Sequence, residues 1–358
     1  MKIALLSYST KPRGGVVHTL ALAEALVTAG EDVTVWTLGR DGDTGFYREV
    51  DPDVRLRIVP FRDGPPEESV GERILRSIAT LREAFNPAPY DIVHAQDCIS
   101  ANAAGRCIRT VHHLDHFTTP ELAACHERAI VEPYAHLCVS RSVAAELTAG
   151  WDIKAEVIPN GVAYERFATT TPAARARWTD QLGRYVLSVG GIEPRKGSLD
   201  LLEAHALLRD RHPDTRLVIA GGETLFDYRD YRARWETRAA ELGVEPVNLG
   251  PVPDDELPAL VAAANAFAFP SLKEGFGLAA MEALAAGVPL VVRDLPVLRE
   301  VFGPAASFGA TPADLADQLG HALTQPDPAR QTAGRELAAR HTWDTAARRH
   351  LDFYRSLS

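Results

Sequence analysis

Short apolar runs alternating with helical patterns, twice over, constrain this chain more than any other feature. In the first half Lys2–Tyr8 and Asp32–Leu38 read as strands, separated by a helix over Val16–Ala29 that Gly30 closes. Val54–Val59 alternates apolar and polar residues, while Asp91–His94, Arg109–His112 and Leu137–Ser140 read as short buried strands. Strands separated by helices imply parallel β-α-β units and therefore a doubly wound sheet. After Phe167 the pattern lapses into the Thr/Pro/Ala-rich stretch Ala168–Trp178, which reads as a linker. The alternation then restarts. Tyr185–Gly190, Arg216–Ala220, Val247–Gly250, Ala266–Phe269 and Pro289–Val292 read as strands, and a last helix runs from Trp343 to Leu357. A chain of 358 residues suits two domains of about 100–200 residues each. The expected architecture is thus α/β, with two Rossmann-like domains in tandem. Ligands of open α/β sheets bind beyond the carboxyl ends of the strands, so two such domains facing each other would share a cleft.

Composition removes several classes of function. A net charge of −10 argues against an extended nucleic-acid surface, which needs a basic face, but leaves room for a local basic pocket. Cys98, Cys107, Cys125 and Cys138 form no Cys-x-x-Cys pair and read as reduced thiols in a cytoplasmic protein. No signal peptide is visible, and no apolar run approaches the roughly 18 residues of a membrane span. The helix expected over Ser69–Phe85 carries Arg73, Arg76 and Arg82 but also Glu72 and Glu83. That mixture reads as a solvated face, with peripheral docking at the inner membrane face as the alternative.

The loops after the strands carry the unusual residues. Thr10–Gly15 leads into a helix through Gly14 and Gly15, where the backbone could approach a ligand closely; a simple turn accounts for it equally. It does not match the dinucleotide-binding Gly-x-Gly-x-x-Gly pattern. Val189–Gly197 places Arg195 and Lys196 at a helix start, where the dipole disfavours cations, and this points to an anionic ligand. Val157–Val162 holds an Asn160-Gly161 turn whose amide could line a cleft. Glu274–Val292 sets two carboxylates, Glu274 and Glu282, around a helix start; they suit either a capped helix or a polyol site.

Taken in order, Val157–Val162, Val189–Gly197 and Phe269–Val291 resemble the retaining glycosyltransferases of family 4, the group 1 glycosyltransferases. The likeness covers nearly the whole chain. It implies the GT-B fold, with residues 1–166 as a Rossmann-like acceptor domain and 167–340 as a Rossmann-like nucleotide-sugar donor domain. Residues 341–358 would form a helix crossing back to the first domain. By the same resemblance Glu274 sits by the donor sugar, and Gly275, Phe276 and Gly277 offer backbone N–H groups to it. Glu282 holds the ribose hydroxyls, Lys196 the diphosphate, and backbone at Val252 the base. Gly15 is the close-approach glycine on the acceptor side, and His112 lies near the transferred sugar, with His113 as the alternative. The family usually reads Val-Gly-Arg where this chain reads Val189-Gly190-Gly191, so a phosphate-binding arginine is missing; Arg195 is the candidate substitute.

The resemblance implies transfer of a sugar, with retention, from a UDP- or GDP-linked donor to an acceptor hydroxyl on a small molecule, glycan or lipid-linked substrate. Neither a cofactor nor a metal is expected, because Lys196 and helix N–H groups neutralise the leaving diphosphate. Two rivals remain. A degenerate nucleotide-sugar binding protein is suggested by Gly191, and a metal-dependent hydrolase by the ligand-rich run His112-His113-Leu114-Asp115-His116.

Overall fold

The alternation of strand and helix resolves into two wholly parallel sheets. The computed structural model describes residues 1–357 apart from Pro66, His116, Thr118 and residues 223–227. The first sheet contains β1 (Lys2–Leu6), β2 (Asp32–Arg40), β3 (Arg55–Phe61), β4 (Ile92–Ala95), β5 (Ile108–Val111), β6 (Ala135–Cys138) and β7 (Glu156–Val157). Their order is β3-β2-β1-β4-β5-β6-β7. The second contains β8 (Arg184–Val189), β9 (Thr215–Ala220), β10 (Val247–Gly250), β11 (Ala266–Phe269), β12 (Leu290–Arg293) and β13 (Ser307–Gly309), in the order β10-β9-β8-β11-β12-β13.

Each order reverses beside the first strand of its sheet. β1 lies between β2 and β4, and β8 lies between β9 and β11. That switch point splays the loops on either side apart and is where open α/β sheets bind ligands. It selects the loops after β1 and β4 in one sheet, and those after β8 and β11 in the other. The central strands, such as β1, β4, β5, β11 and β12, are buried on both faces, which is why they read as continuous apolar runs such as Ile3-Ala4-Leu5-Leu6 and Ala266-Phe267-Ala268-Phe269.

The chain forms two units, Met1–Gly161 with Trp343–Ser358, and Val162–Thr342. The helix Trp343–Ser356 belongs to the first unit and buries Ala346, Ala347, His350, Leu351 and Tyr354. Burying Leu351 and the Tyr354 ring is worth about 1.5–3 kcal/mol each. The Tyr354 hydroxyl meets His94 Nδ1 at 2.7 Å, and Arg349 donates to the Val157 carbonyl at 2.6 Å.

The stretch read as a linker is helical instead. Residues Pro172–Leu182 form a helix whose first turn is fixed by Pro172 and by the Thr171 hydroxyl, which accepts from the Ala174 N–H at 3.2 Å. Trp178 and Leu182 anchor it in the second unit. The Thr-Pro pair is a helix start rather than a break, because proline at the first helical position loses no hydrogen bond.

The helix Val70–Ala84 begins with a reciprocal Ser69–Glu72 capping box and turns Ile74, Ile78 and Leu81 into the first unit. Its apolar face is therefore spent on the core. No helix among the described residues is long and apolar enough to cross a membrane. All four cysteines are free thiols, and burial pushes Cys98, Cys107 and Cys138 up to about 12.

Candidate functional site

In the second unit the loop after β8 and the loop after β11 bring four charged side chains together. Residues Pro194–Lys196 make a single 3-10 turn, and Gly197 at φ 65° hands the chain to the helix Ser198–Arg209. Gly197 is required twice over, by its left-handed backbone and because a Cβ there would stand 2.3 Å from the Pro270 carbonyl oxygen. The turn delivers Lys196 Nζ to Glu274 Oε1 at 2.6 Å, and Arg195 Nη1 to the same oxygen at 3.1 Å. Arg195 Nη2 reaches Glu193 Oε1 at 3.2 Å. The Lys196 ammonium also lies 5.1 Å from the centre of the Phe269 ring.

This arrangement corrects the inference drawn from charge at the helix start. Arg195 and Lys196 have internal counter-ions, Glu193 and Glu274, so their position alone does not demand an external anion. It also bears on the missing arginine. Arg195, the candidate substitute for an arginine at position 191, is already held by two carboxylates and by the Lys273 carbonyl. Beside the cluster, Gly190, Gly191, Lys196 and Ser271 line a small pocket. The Ser271 hydroxyl is buried with no hydrogen-bond partner among the described residues, and sequence reasoning did not single it out. A polar atom left so at a switch point is available to a ligand.

The loop after β11 then passes through Gly275, Phe276 and Gly277 into the helix Leu278–Ala285. Gly277 has φ 100°, and a Cβ there would press on Phe302 and Phe269 at 3.1 and 3.2 Å. Phe276 is buried, so only its backbone is offered to a ligand. The N–H groups of Gly275, Phe276 and Gly277 make no hydrogen bond among the described residues, and the helix has no side-chain cap. These donors suit anionic or hydroxyl oxygens.

Glu282, on the same helix, is partly buried beside an Arg166–Asp254 ion pair of 2.7 Å. Burial pushes its carboxyl up to about 8; Arg166 opposes the rise and Asp254 adds to it. The neighbours Arg166 and Asp254 escaped the sequence reading, although Asp254 lies two residues beyond Val252 in the loop after β10. Because the folded-state value lies above the unfolded one, Glu282 costs nothing below about pH 4.5 and opposes folding increasingly as pH rises to about 8. Replacing Glu282 with Gln should therefore raise the melting temperature relative to the parent at pH 8 and not at pH 4.5. A gap independent of pH across that range would assign the stability effect elsewhere.

The first unit holds the other sequence-derived residues. Gly14 and Gly15 open the helix Gly14–Thr28, and a Cβ on Gly15 would lie 3.9 Å from the His112 ring. His112 Nε2 is 3.3 Å from Gln96 Oε1, and its ring meets that of His18 edge-on at 4.8 Å. Burial first, then the Arg109 guanidinium, hold His112 well below the usual histidine range, so it is neutral near pH 7. Asn160 belongs to this unit. Its side chain is buried, and Oδ1 is taken by His18 Nδ1 at 2.9 Å. His113 pairs with Asp115 at 3.3 Å, and His116 lies outside the described residues. Among the described residues no group of three His, Cys, Asp or Glu side chains could hold a metal ion.

Known proteins resemble this chain along nearly its whole length. Residues 12–166 match the family described as Glycosyltransferase Family 4, and residues 176–338 match Glycosyl transferases group 1. A D-inositol 3-phosphate glycosyltransferase of Salinispora tropica is 30% identical, over 99% of this chain and 85% of that one. Among solved structures, sucrose-phosphate synthase from Thermosynechococcus elongatus superposes with a TM-score of 0.81 at 22% identity, covering 99% of this chain and 98% of the other. Anabaena HepE in complex with UDP and glucose superposes with a TM-score of 0.76 at 19% identity, covering 99% of this chain and 100% of that one. With two parallel α/β units, both family halves in order and a relative 30% identical over 99% of this chain, the chain is a GT-B protein and belongs to the group 1 glycosyltransferases.

Proposed function

We propose that the protein transfers a sugar from a nucleoside-diphosphate donor to an acceptor hydroxyl, with retention at the anomeric carbon and without a metal ion. The observation that carries this reading is the convergence of Lys196 and Arg195 on Glu274 at the carboxyl edge of the second sheet. Departure of a nucleoside diphosphate builds negative charge on a phosphate oxygen, and fixed cations and N–H dipoles stabilise that charge without reorganising. Lys196 and the N–H groups of Gly275–Gly277 are assigned that task, and Glu274 orients the sugar hydroxyls. Glu282 receives the ribose hydroxyls, and backbone at Val252 the base. The bond from the anomeric carbon to the phosphate oxygen breaks while the acceptor oxygen bonds on the same face. The acceptor proton passes to the departing phosphate, so no protein base is needed. HepE, solved in complex with UDP and glucose and with UDP-glucose, supports a uridine donor by analogy.

A thermal-shift series with UDP, GDP and ADP tests the donor assignment, since a ligand at about 100 times its Kd adds about 2.7 kcal/mol. Failure of all three to stabilise the protein would remove the donor reading. For Glu282→Ala we expect the nucleoside diphosphate alone to bind about 1–3 kcal/mol more weakly. Wild-type affinity should also climb toward pH 8 as the carboxylate forms, a rise absent in Glu282→Gln. Should only sugar-bearing donors lose affinity, Glu282 does not hold the ribose.

Metal independence has its own test. Transfer should survive EDTA, and elemental analysis should find less than one metal ion per chain. His112→Ala should impair transfer while leaving nucleotide binding nearly intact, because the side chain is assigned to the sugar. Stoichiometric metal, lost together with activity in Asp115→Ala, would favour the hydrolase instead.

A further inference from the structure

His112, assigned to the transferred sugar, is bounded by side chains that the proposed reaction leaves without a task. His18 lies one turn into the helix Gly14–Thr28 and is 1% exposed. Its Nδ1 is 2.9 Å from Asn160 Oδ1, an amide oxygen that only accepts, so Nδ1 carries the proton. The ring is thereby held in one tautomer, and burial first, then His112 and His350, keep it neutral. This locked ring meets that of His112 edge-on, at 4.8 Å between centres and 79° between planes. Trp343 and His350 of the terminal helix pack on it at 5.4 and 6.0 Å. His112 itself is tied at one nitrogen only. Its Nε2 is 3.3 Å from Oε1 of the buried Gln96, which makes Nε2 the protonated nitrogen. Nδ1 is left with a lone pair and makes no hydrogen bond among the described residues.

That lone pair can receive a sugar hydroxyl only while ring angle and tautomer stay fixed, since a half-turn of the ring would put a C–H group in its place. The Gln96 contact is long for a hydrogen bond and does not hold the ring alone. We propose that His18, locked by Asn160, is the positioning residue that fixes the His112 ring and keeps its Nδ1 as acceptor for a hydroxyl of the transferred sugar. The inference rests on the assignment of His112 to that sugar. The titratable or charged groups acting on the pair are Arg109 on β5, His113 in the same loop, His94 on β4 and His350 on the terminal helix. None of these is an acid, so nothing among them favours a charged His112. Removing the His18 ring would open polar space that water fills, and His112 would lose part of its burial.

The test begins with nitrogen NMR spectra of the histidine side chains in the full chain, which need no substrate, with His112→Ala giving the assignment. Wild-type His112 should be protonated at Nε2 and bare at Nδ1 from pH 8 to pH 6. In His18→Ala both nitrogens should move toward the average of two tautomers, and His112 should begin to titrate near the ordinary value of about 6.5. Turnover at saturating donor should fall about ten- to a hundredfold at pH 8, the cost of a misplaced group. The gap from wild type should widen as pH drops to 6. Donor KM and the thermal shift with UDP should not change. His18→Phe keeps a ring against His112 and should recover most of the turnover. If His18→Ala does not fold, Asn160→Leu is read in its place, because it unlocks the His18 ring; the same spectral changes are expected with a smaller loss of turnover. Absence of a UDP shift in the wild type would count against the donor assignment alone, and the spectra would still decide on His18. Three results would overturn the positioning role: wild-type His112 protonated at Nδ1, a His18→Ala spectrum like that of the wild type, or His18→Phe as slow as His18→Ala. The last would make His18 a direct contact of the substrate.

Discussion

Replacing Lys196 with Ala should cut turnover by about 10²–10³, the usual cost of removing one preorganised group from a developing anion. The ammonium is fixed before any substrate arrives, by Glu274 Oε1 at 2.6 Å and by the Phe269 ring. Fixation of that kind is what separates transition-state stabilisation from simple attraction, because no side chain need be reorganised during the reaction. The competing account is a structural one, in which Lys196 only balances a mostly buried carboxylate. It makes a different forecast: Lys196→Ala would then lower the melting temperature and leave the rate per folded molecule unchanged. Some destabilisation is expected either way, about 1–3 kcal/mol, since Glu274 loses its 2.6 Å hydrogen bond from Lys196. The deciding measurement is therefore kcat normalised to folded protein, taken alongside KM for the donor. Unchanged kcat would place the diphosphate elsewhere.

The fold was legible because parallel strands buried on both faces leave a signal that survives without neighbours. Val247–Gly250 and Ala266–Phe269 were read with their observed limits. Strands β7 and β13 were not, since Glu156–Val157 and Ser307–Gly309 are too short for any period to show. The stretch Ala168–Trp178 misled because Thr and Pro mark both loops and helix starts; only the partner of the Thr171 hydroxyl distinguishes them.

The candidate site was legible in a different way. Motif order brought Lys196, Glu274 and Glu282 to attention, and the structure joins the first two through a hydrogen bond. It could not reveal that Lys196 and Arg195 are answered by Glu274, because a counter-ion from another loop has no sequence spacing.

The internal pairing yields the second large effect, and its sign is unusual. Glu274 carries the negative charge that both Arg195 and Lys196 face in the unliganded site. Changing it to Gln keeps the shape and removes that charge, which leaves the two cations freer to attract a diphosphate. UDP or GDP should bind as tightly as before or more tightly, by up to about 1 kcal/mol in a site that water still reaches. Turnover should nevertheless fall by about 10², because the carboxylate assigned to the transferred sugar is gone. Affinity and rate would then move in opposite directions, a pattern that global unfolding does not produce. Were nucleotide affinity to collapse together with turnover, Glu274 would be a strut that positions Lys196 and Arg195 and not a group facing the sugar. Calorimetry with the nucleoside diphosphate, paired with single-turnover transfer on the same preparation, separates the two.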